Sequence, residues 1–141
     1  MFDLANLETT SVADAGVAMT VRHPVTSVPL TQDDGSPIVI VVAGEDSERF
    51  RRAVRENSNR RLKAQQAGRS VRITAEELES DRLELAVSCT VNWSGFFVDG
   101  NELPFSSDAA RAMYRRLPWM LEQVETFIAD RQNFLKASPK T

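Results

Sequence analysis

Side chains that usually carry enzyme chemistry are scarce in this sequence of 141 residues, which has one histidine, His23, and one cysteine, Cys89. Nucleophilic catalysis needs a nucleophile, a base and a group that orients the base. His23 precedes Pro24, and nothing in the sequence pairs it with Cys89 or with a particular serine. We therefore predict that His23 is a surface or turn residue and that Cys89 belongs to the core.

Metal, cofactor and phosphate motifs are also missing from the sequence. One cysteine and one histidine form neither an internal disulfide nor a Cys/His metal cluster. Residues 44–46 lack the lysine and the further glycines of a phosphate loop. The acidic pairs Glu76/Glu77 and Glu79/Asp81 are of the kind that helix surfaces ordinarily carry. The sequence thus predicts a protein that is not an enzyme and that uses no metal or cofactor.

Large aromatic side chains are the residues best suited to binding an apolar partner, and they concentrate in roughly the last third of the chain. The candidate partner-binding residues are Trp93, Phe96, Phe97, Phe105, Tyr114, Trp119, Phe127 and Phe134. Core packing is the ordinary role of such side chains. A contiguous exposed subset would instead bind an apolar segment of another protein.

Charge is distributed unevenly along the chain. The net charge is −3 and the sequence pI about 5.2, which argues against a protein that mainly coats nucleic acid. Residues 45–72 nevertheless hold nine Arg/Lys against four Asp/Glu, a net +5, whereas residues 73–110 hold one against eight, a net −7. Such opposite charges can pair within one chain or join copies head to tail into a homo-oligomer.

A candidate basic face lies on a predicted helix over residues 49–63 and is formed by Arg51, Arg52 and Arg55. Clustered cations of this kind can bind phosphates. They are also ordinary on a solvated helix, or on one that neutralises an acidic neighbour. Because no aromatic residues for base stacking are interleaved with them, nucleic-acid binding is the less favoured interpretation.

The amino-terminal part of the chain predicts a small sheet. Residues 1–15 show no periodicity and are expected to form a flexible arm or a loosely docked segment. Partial alternation in 17–22 and the β-branched run in 37–42 predict two strands. The Asp34-Gly35 pair between them favours a tight turn. We therefore expect a β-hairpin or small sheet over residues 17–43.

Helices are predicted for most of residues 46–135. A first helix starts at Asp46 or Ser47 and stops before Gly68, and a second starts at the capping box of Thr74.

Leu78 and Leu85 are expected on the buried side of that second helix, together with Cys89. Residues 91–100 are predicted to form a short strand or a packed loop. A short helix follows the cap at residues 106–108, and a last helix runs from Pro118 to about Leu135.

The predicted fold class is α+β, in a single domain over residues 1–141 with a solvated tail at 136–141. The longest apolar stretch, residues 38–43, is far shorter than the roughly 20 residues that cross a bilayer. The acidic start lacks the features of a secretory signal. A single cysteine suits a reducing cytoplasm. We therefore expect no membrane association and no export.

Four short motifs follow one another within residues 85–135. They are Thr90-Val91-Asn92-Trp93-Ser94-Gly95, Leu103-Pro104-Phe105-Ser106, Asp108-Ala109-Ala110-Arg111-Ala112-Met113-Tyr114, and Pro118-Trp119 followed by Gln123-Val124. Their order resembles that in the small tail assembly chaperones of bacteriophages with long non-contractile tails and of related prophages. Many members of that family have asparagine where Asp108 stands here, a difference that concerns helix capping.

This resemblance implies a late-gene viral protein of the host cytoplasm that is absent from the mature virion. Such a chaperone binds the long, hydrophobic tape measure protein before tail tube subunits polymerise around it. The resemblance also implies that a ribosomal frameshift can add a second domain, which recruits the tail tube protein. Two alternatives stay open at this stage: a small regulator that binds nucleic acid through residues 49–63, and a structural tail-completion protein.

Overall fold

The computed structural model describes residues 2–68 and 73–135, and its sheet has three antiparallel strands. Strands β1 (Val17–Thr20) and β2 (Val39–Val42) pair with each other, and β3 (Thr90–Ser94) pairs with the other side of β2. Ile40 in the central strand is fully buried. The α+β class and the small amino-terminal sheet are confirmed, and the sheet gains a third strand from far along the chain.

The connection between β1 and β2 is a long hairpin arm, and its predicted turn forms at Asp34-Gly35. The Asp34 carboxylate accepts hydrogen bonds from the Ser36 N–H at 2.9 Å and from the Ser36 hydroxyl at 2.6 Å. Gly35 has a φ of +86°, which glycine adopts without steric cost. The Gln32 N–H donates to the Ser36 carbonyl and closes the arm.

Residues 2–15, for which the sequence predicts a flexible arm or a loosely docked segment, include two short helices. They contain a 3₁₀ helix at Leu4–Leu7 and helix α1 at Thr10–Ala15, in which Ala13 is fully buried. The Asp14 carboxylate accepts a hydrogen bond from the Glu48 N–H at 2.7 Å. Contacts with residues more than thirty positions away hold this helix in place, which local periodicity does not reveal.

Helices α2 (Glu48–Gln66) and α3 (Ala75–Cys89) begin where their capping residues predict. The Ser47 hydroxyl accepts from the Phe50 N–H, and the Thr74 hydroxyl accepts from the Glu77 N–H, each at 3.1 Å. The prediction for Leu78 was wrong, because this side chain is 51% exposed. The later part of α3 is buried, at Leu83, Ala86, Val87 and Cys89, which agrees with the prediction for Cys89.

Strands β4 (Phe97–Val98) and β5 (Asn101–Glu102) form a separate hairpin after β3. Helix α4 (Ser107–Arg116) follows, and α5 (Pro118–Ala129) begins at the proline as predicted. The last helix ends at Ala129 and not near Leu135. Asp130 has an extended backbone, and residues after it form a 3₁₀ helix.

The break at Asp130 turns Phe134 back into the core against Gly44. A Cβ atom added at Gly44 would lie 2.9 Å from the Phe134 ring. Only glycine therefore lets the two segments approach this closely. The remaining core lies between the sheet and helices α3, α4 and α5, with Val42, Tyr114 and Val124 at its centre.

Candidate functional site

The eight candidate aromatic residues do not form one exposed patch. Four of them are buried: Trp93, Phe96, Tyr114 and Phe134. Three are half-buried: Phe105, Trp119 and Phe127. Phe97 alone among the eight is exposed, at 59%. Core packing is thus the main role of this aromatic set, and Phe97 is the member with a large surface free for a partner.

Trp93 illustrates how the buried aromatics support the surface near Phe97. Its ring lies 4.8 Å from that of Phe96 and 5.1 Å from that of Phe105, measured between centroids. The indole N–H donates to the Leu103 carbonyl at 2.9 Å. Because the Leu103 N–H also donates to the Phe96 carbonyl at 2.8 Å, the loop that presents Phe97 is fixed from both sides.

An apolar groove of about 370 Å³ lies beside Phe97. We call it the Phe97 groove, and its apolar lining includes Val21, Leu30, Ile38, Phe97, Leu117 and Trp119. The charged residues in its lining are Asp99 and Arg116. A concave surface of this composition suits apolar side chains of a partner better than a polar substrate.

The wall of the Phe97 groove opposite α4 and α5 is held by a closed ring of backbone hydrogen bonds. The Val21 N–H donates to the Ile38 carbonyl at 3.0 Å, and the Ile38 N–H donates to the Leu30 carbonyl at 3.0 Å. The Leu30 N–H donates in turn to the Val21 carbonyl at 2.8 Å. Three residues from the hairpin arm are therefore locked side by side, and sequence reasoning did not assign them to a site.

A second, polar groove of about 670 Å³ lies between β1 and α5. Gln123 from α5 fixes its geometry, because the side-chain amide accepts from the Arg22 N–H at 2.9 Å and donates to the Arg22 carbonyl at 2.8 Å. His23 also lines this groove, and its Nδ1 accepts hydrogen bonds from the backbone of Val25 and Thr26. His23 therefore stabilises a turn, as the sequence predicts.

Cys89 is fully buried at the end of α3. Burial raises the pKa of its thiol to about 12, so the thiolate that nucleophilic chemistry needs is strongly disfavoured. Within residues 2–68 and 73–135, no group of three or more histidine, cysteine, aspartate or glutamate side chains is arranged to hold a metal ion. In the same part of the chain, no helix has the length and apolarity needed to cross a membrane.

The candidate basic face on α2 is partly neutralised by the chain itself. Arg51 and Arg55 lie 3.8 and 2.6 Å from carboxylate oxygens of Glu48. Further along the helix, Arg60 and Arg61 both contact Asp81 of α3. Part of the positive charge thus serves the packing of α2 on α3, whereas Arg52 is exposed and has no ion pair within 4 Å among the described residues.

Comparisons with known proteins do not identify a family for this chain. No protein-family model, no curated protein and no solved structure matches the chain. The resemblance of residues 85–135 to tail assembly chaperones therefore stays a prediction. The Phe97 groove is the surface on which that prediction is best examined.

Proposed function

We propose that this protein is a non-catalytic tail assembly chaperone of a long-tailed phage or prophage and that it binds the tape measure protein. The observation that carries the proposal is the Phe97 groove, with an apolar lining and one aromatic side chain 59% exposed at its edge. Much of that lining comes from residues 95–120, inside the segment whose motifs resemble those of the chaperones.

Binding in this groove requires no bond-making chemistry. Apolar side chains of an amphipathic client segment leave water when they enter the groove, at about 25 cal/mol for each Å² of apolar surface buried. The rigid backbone ring at Val21, Leu30 and Ile38 lowers the entropic cost of presenting that surface. A client segment held there is kept from associating with other client segments, which is the activity that we assign.

The proposal includes a place and a time of action. The chaperone acts in the host cytoplasm during late gene expression, and it leaves before the virion is complete. A frameshifted extension after residue 141 would bring tail tube protein to the same complex. Mass spectrometry of purified particles is then expected to find no stoichiometric amount of this chain, whereas one or more copies per particle would favour a tail-completion protein.

The test is co-expression with the tape measure protein of the same phage. We expect the client to stay soluble and to copurify with the chaperone, while the client alone forms aggregates. The matched control is co-expression with an unrelated soluble protein of similar size. If the folded chaperone neither keeps the client in solution nor copurifies with it, the proposed function is wrong.

A further inference from the structure

Strand β1 forms one edge of the three-stranded sheet, and its outer side carries backbone groups without a partner among the described residues. The N–H and carbonyl of Val21 both point into the fold, because they bond to Ile38 and Leu30. In an antiparallel pair, successive residues direct these groups to opposite sides. The N–H and carbonyl groups of Ala18 and Thr20 therefore point away from β2.

Arg22, the next residue whose backbone points to the outer side, shows which chemical group fits this edge. Its N–H and carbonyl are bonded to the side-chain amide of Gln123 at 2.9 and 2.8 Å. That amide offers one carbonyl and one N–H, as the backbone of a neighbouring strand does. Arg22 is thus paired as it would be in a sheet, whereas no such group from the described residues reaches Thr20 or Ala18.

Strand β1 lacks the features that usually protect an edge strand from pairing with another chain. Those features include charged side chains, proline and bulges. Residues 17–20 contain no charged residue and no proline, and they pair with β2 without a register shift. Ala18 is exposed and Thr20 half-buried. The edge is therefore open to a fourth strand, and strand addition is a common way of binding an extended peptide.

The space beside Ala18 and Thr20 is the polar groove of about 670 Å³ between β1 and α5, which we call the β1–α5 groove. Trp119 and Phe127 from α5 line this groove and are half-buried. Successive side chains of a strand point to opposite faces. Every second side chain of an added strand could therefore pack on these two rings, which favours apolar residues at those positions.

The charged side chains of the β1–α5 groove favour a basic occupant. Glu122 and Asp130 line the groove and are exposed, and neither belongs to an ion pair within residues 2–68 and 73–135. Arg22 also lines it, but its guanidinium donates to the Ser27 carbonyl at 3.1 Å. The groove thus holds two carboxylates against one cation, which suits lysine or arginine in the bound segment.

The β1–α5 groove adjoins the Phe97 groove, because Trp119 lines both. We propose that an extended segment of the client, next to the part held in the Phe97 groove, pairs with β1 as a fourth strand. Its backbone would bond to Ala18 and Thr20, with apolar side chains on Trp119 and basic ones near Glu122. This inference rests on the proposed function, from which it takes the client, and it adds how that client is recognised.

The first test is residue-resolved hydrogen exchange of the isotope-labelled protein by NMR. The probe is the tightest binder among short overlapping synthetic peptides that cover the tape measure protein of the same phage. In the protein alone, the N–H groups of Ala18 and Thr20 should exchange faster than that of Met19, which points into the sheet. We expect the peptide to slow exchange at Ala18 and Thr20 at least about tenfold and to leave Met19 unchanged.

The peptide itself supplies a control that needs no protein variant. Methylation of a backbone nitrogen removes one N–H donor, and in a strand only every second residue directs its N–H to the same neighbour. Methylation should therefore weaken binding at alternate positions of the peptide and have little effect at the positions between them. An effect without this alternation would contradict strand pairing.

A proline on β1 tests the same contact in the whole complex. Thr20→Pro removes an outward N–H and no hydrogen bond of the sheet, so it should weaken client binding at least about fivefold. The matched control is Ala75→Pro, which places proline at the exposed first position of α3, where proline is tolerated, and outside both grooves. Circular dichroism establishes that both variants are folded.

The inference is overturned if the bound peptide leaves exchange at Ala18 and Thr20 unchanged, or if a folded Thr20→Pro variant binds the client like wild type. It is also overturned if both N–H groups are already protected in the protein alone, because the chain itself or a second copy would then cover the edge. Copurification of the full-length client without binding of any peptide would overturn it too. In each of these cases the proposed function stands, whereas a wild-type protein that neither solubilises nor copurifies the client contradicts that function itself.

Discussion

At the scale of single residues, the hydroxyl group of Tyr114 links two elements inside the core. Its oxygen lies 2.7 Å from the Thr90 hydroxyl oxygen, and the Thr90 hydroxyl donates to the Ala86 carbonyl at 2.8 Å. Tyr114 is fully buried, and burial raises its pKa from 10.0 to about 12. Because the protonated form is favoured in the folded state, this contribution to stability is complete below pH 10 and is lost as the pH rises towards 12.

The ionisation of Tyr114 can be measured directly by absorbance, because it is the only tyrosine in the chain. We expect the folded protein to show no tyrosinate absorbance at pH 10, and the protein unfolded in urea to be about half ionised there. A spectrophotometric titration followed together with circular dichroism measures both states. A midpoint near 10 in protein that is still folded would contradict the buried hydroxyl pair.

At the scale of elements, capping side chains define where the helices begin. The Ser106 hydroxyl accepts a hydrogen bond from the Ala109 N–H at 3.0 Å at the start of α4. That helix carries Met113 and Tyr114 into the core and ends beside the Phe97 groove. A single polar side chain therefore supports both the fold and the groove.

We expect Ser106→Ala to lower the free energy of unfolding by about 1 kcal/mol, because one N–H at the helix start loses its acceptor. The matched control is Ser107→Ala, one residue later, whose effect should stay within about 0.5 kcal/mol. Urea denaturation of both variants measures the difference. Equal effects of the two substitutions would show that capping by Ser106 does not stabilise α4.

Capping signals made the elements predictable, but not their contacts. Ser47, Thr74 and Pro118 mark helix starts through local chemistry, and the structure has helices starting there. Helix α1 is docked by the hydrogen bond between the Glu48 N–H and the Asp14 carboxylate. The end of α5 is set by the packing of the Phe134 ring against Gly44. These are long-range contacts, and a local pattern contains no information about them.

The candidate site, too, could be predicted from the sequence only in part. Phe97 and Trp119 are named by residue type alone, because large aromatics are frequent in binding surfaces. Val21, Leu30 and Ile38 look like ordinary apolar residues in sequence, and only the backbone ring makes them one wall of a groove. The burial of the other aromatic residues follows from the packing of β3 against the helices, which the sequence does not show.

At the scale of the whole molecule, the Phe97 groove depends on segments that lie far apart in the sequence. It lies where the hairpin arm, β4 and the junction of α4 and α5 meet. Because each of these segments contributes lining residues, the proposed client site exists only in the folded protein.

Isothermal titration calorimetry with an apolar segment of the tape measure protein measures whether the Phe97 groove binds the proposed client. Loss of one buried phenylalanine contact costs about 1.5–3 kcal/mol, so Phe97→Asp should raise the Kd at least tenfold, since about 1.4 kcal/mol is a factor of ten. Phe2→Asp, an equally large change at an exposed phenylalanine outside the groove, should leave the Kd unchanged. Equal affinity of wild type and a folded Phe97→Asp variant would show that the client does not bind in the Phe97 groove.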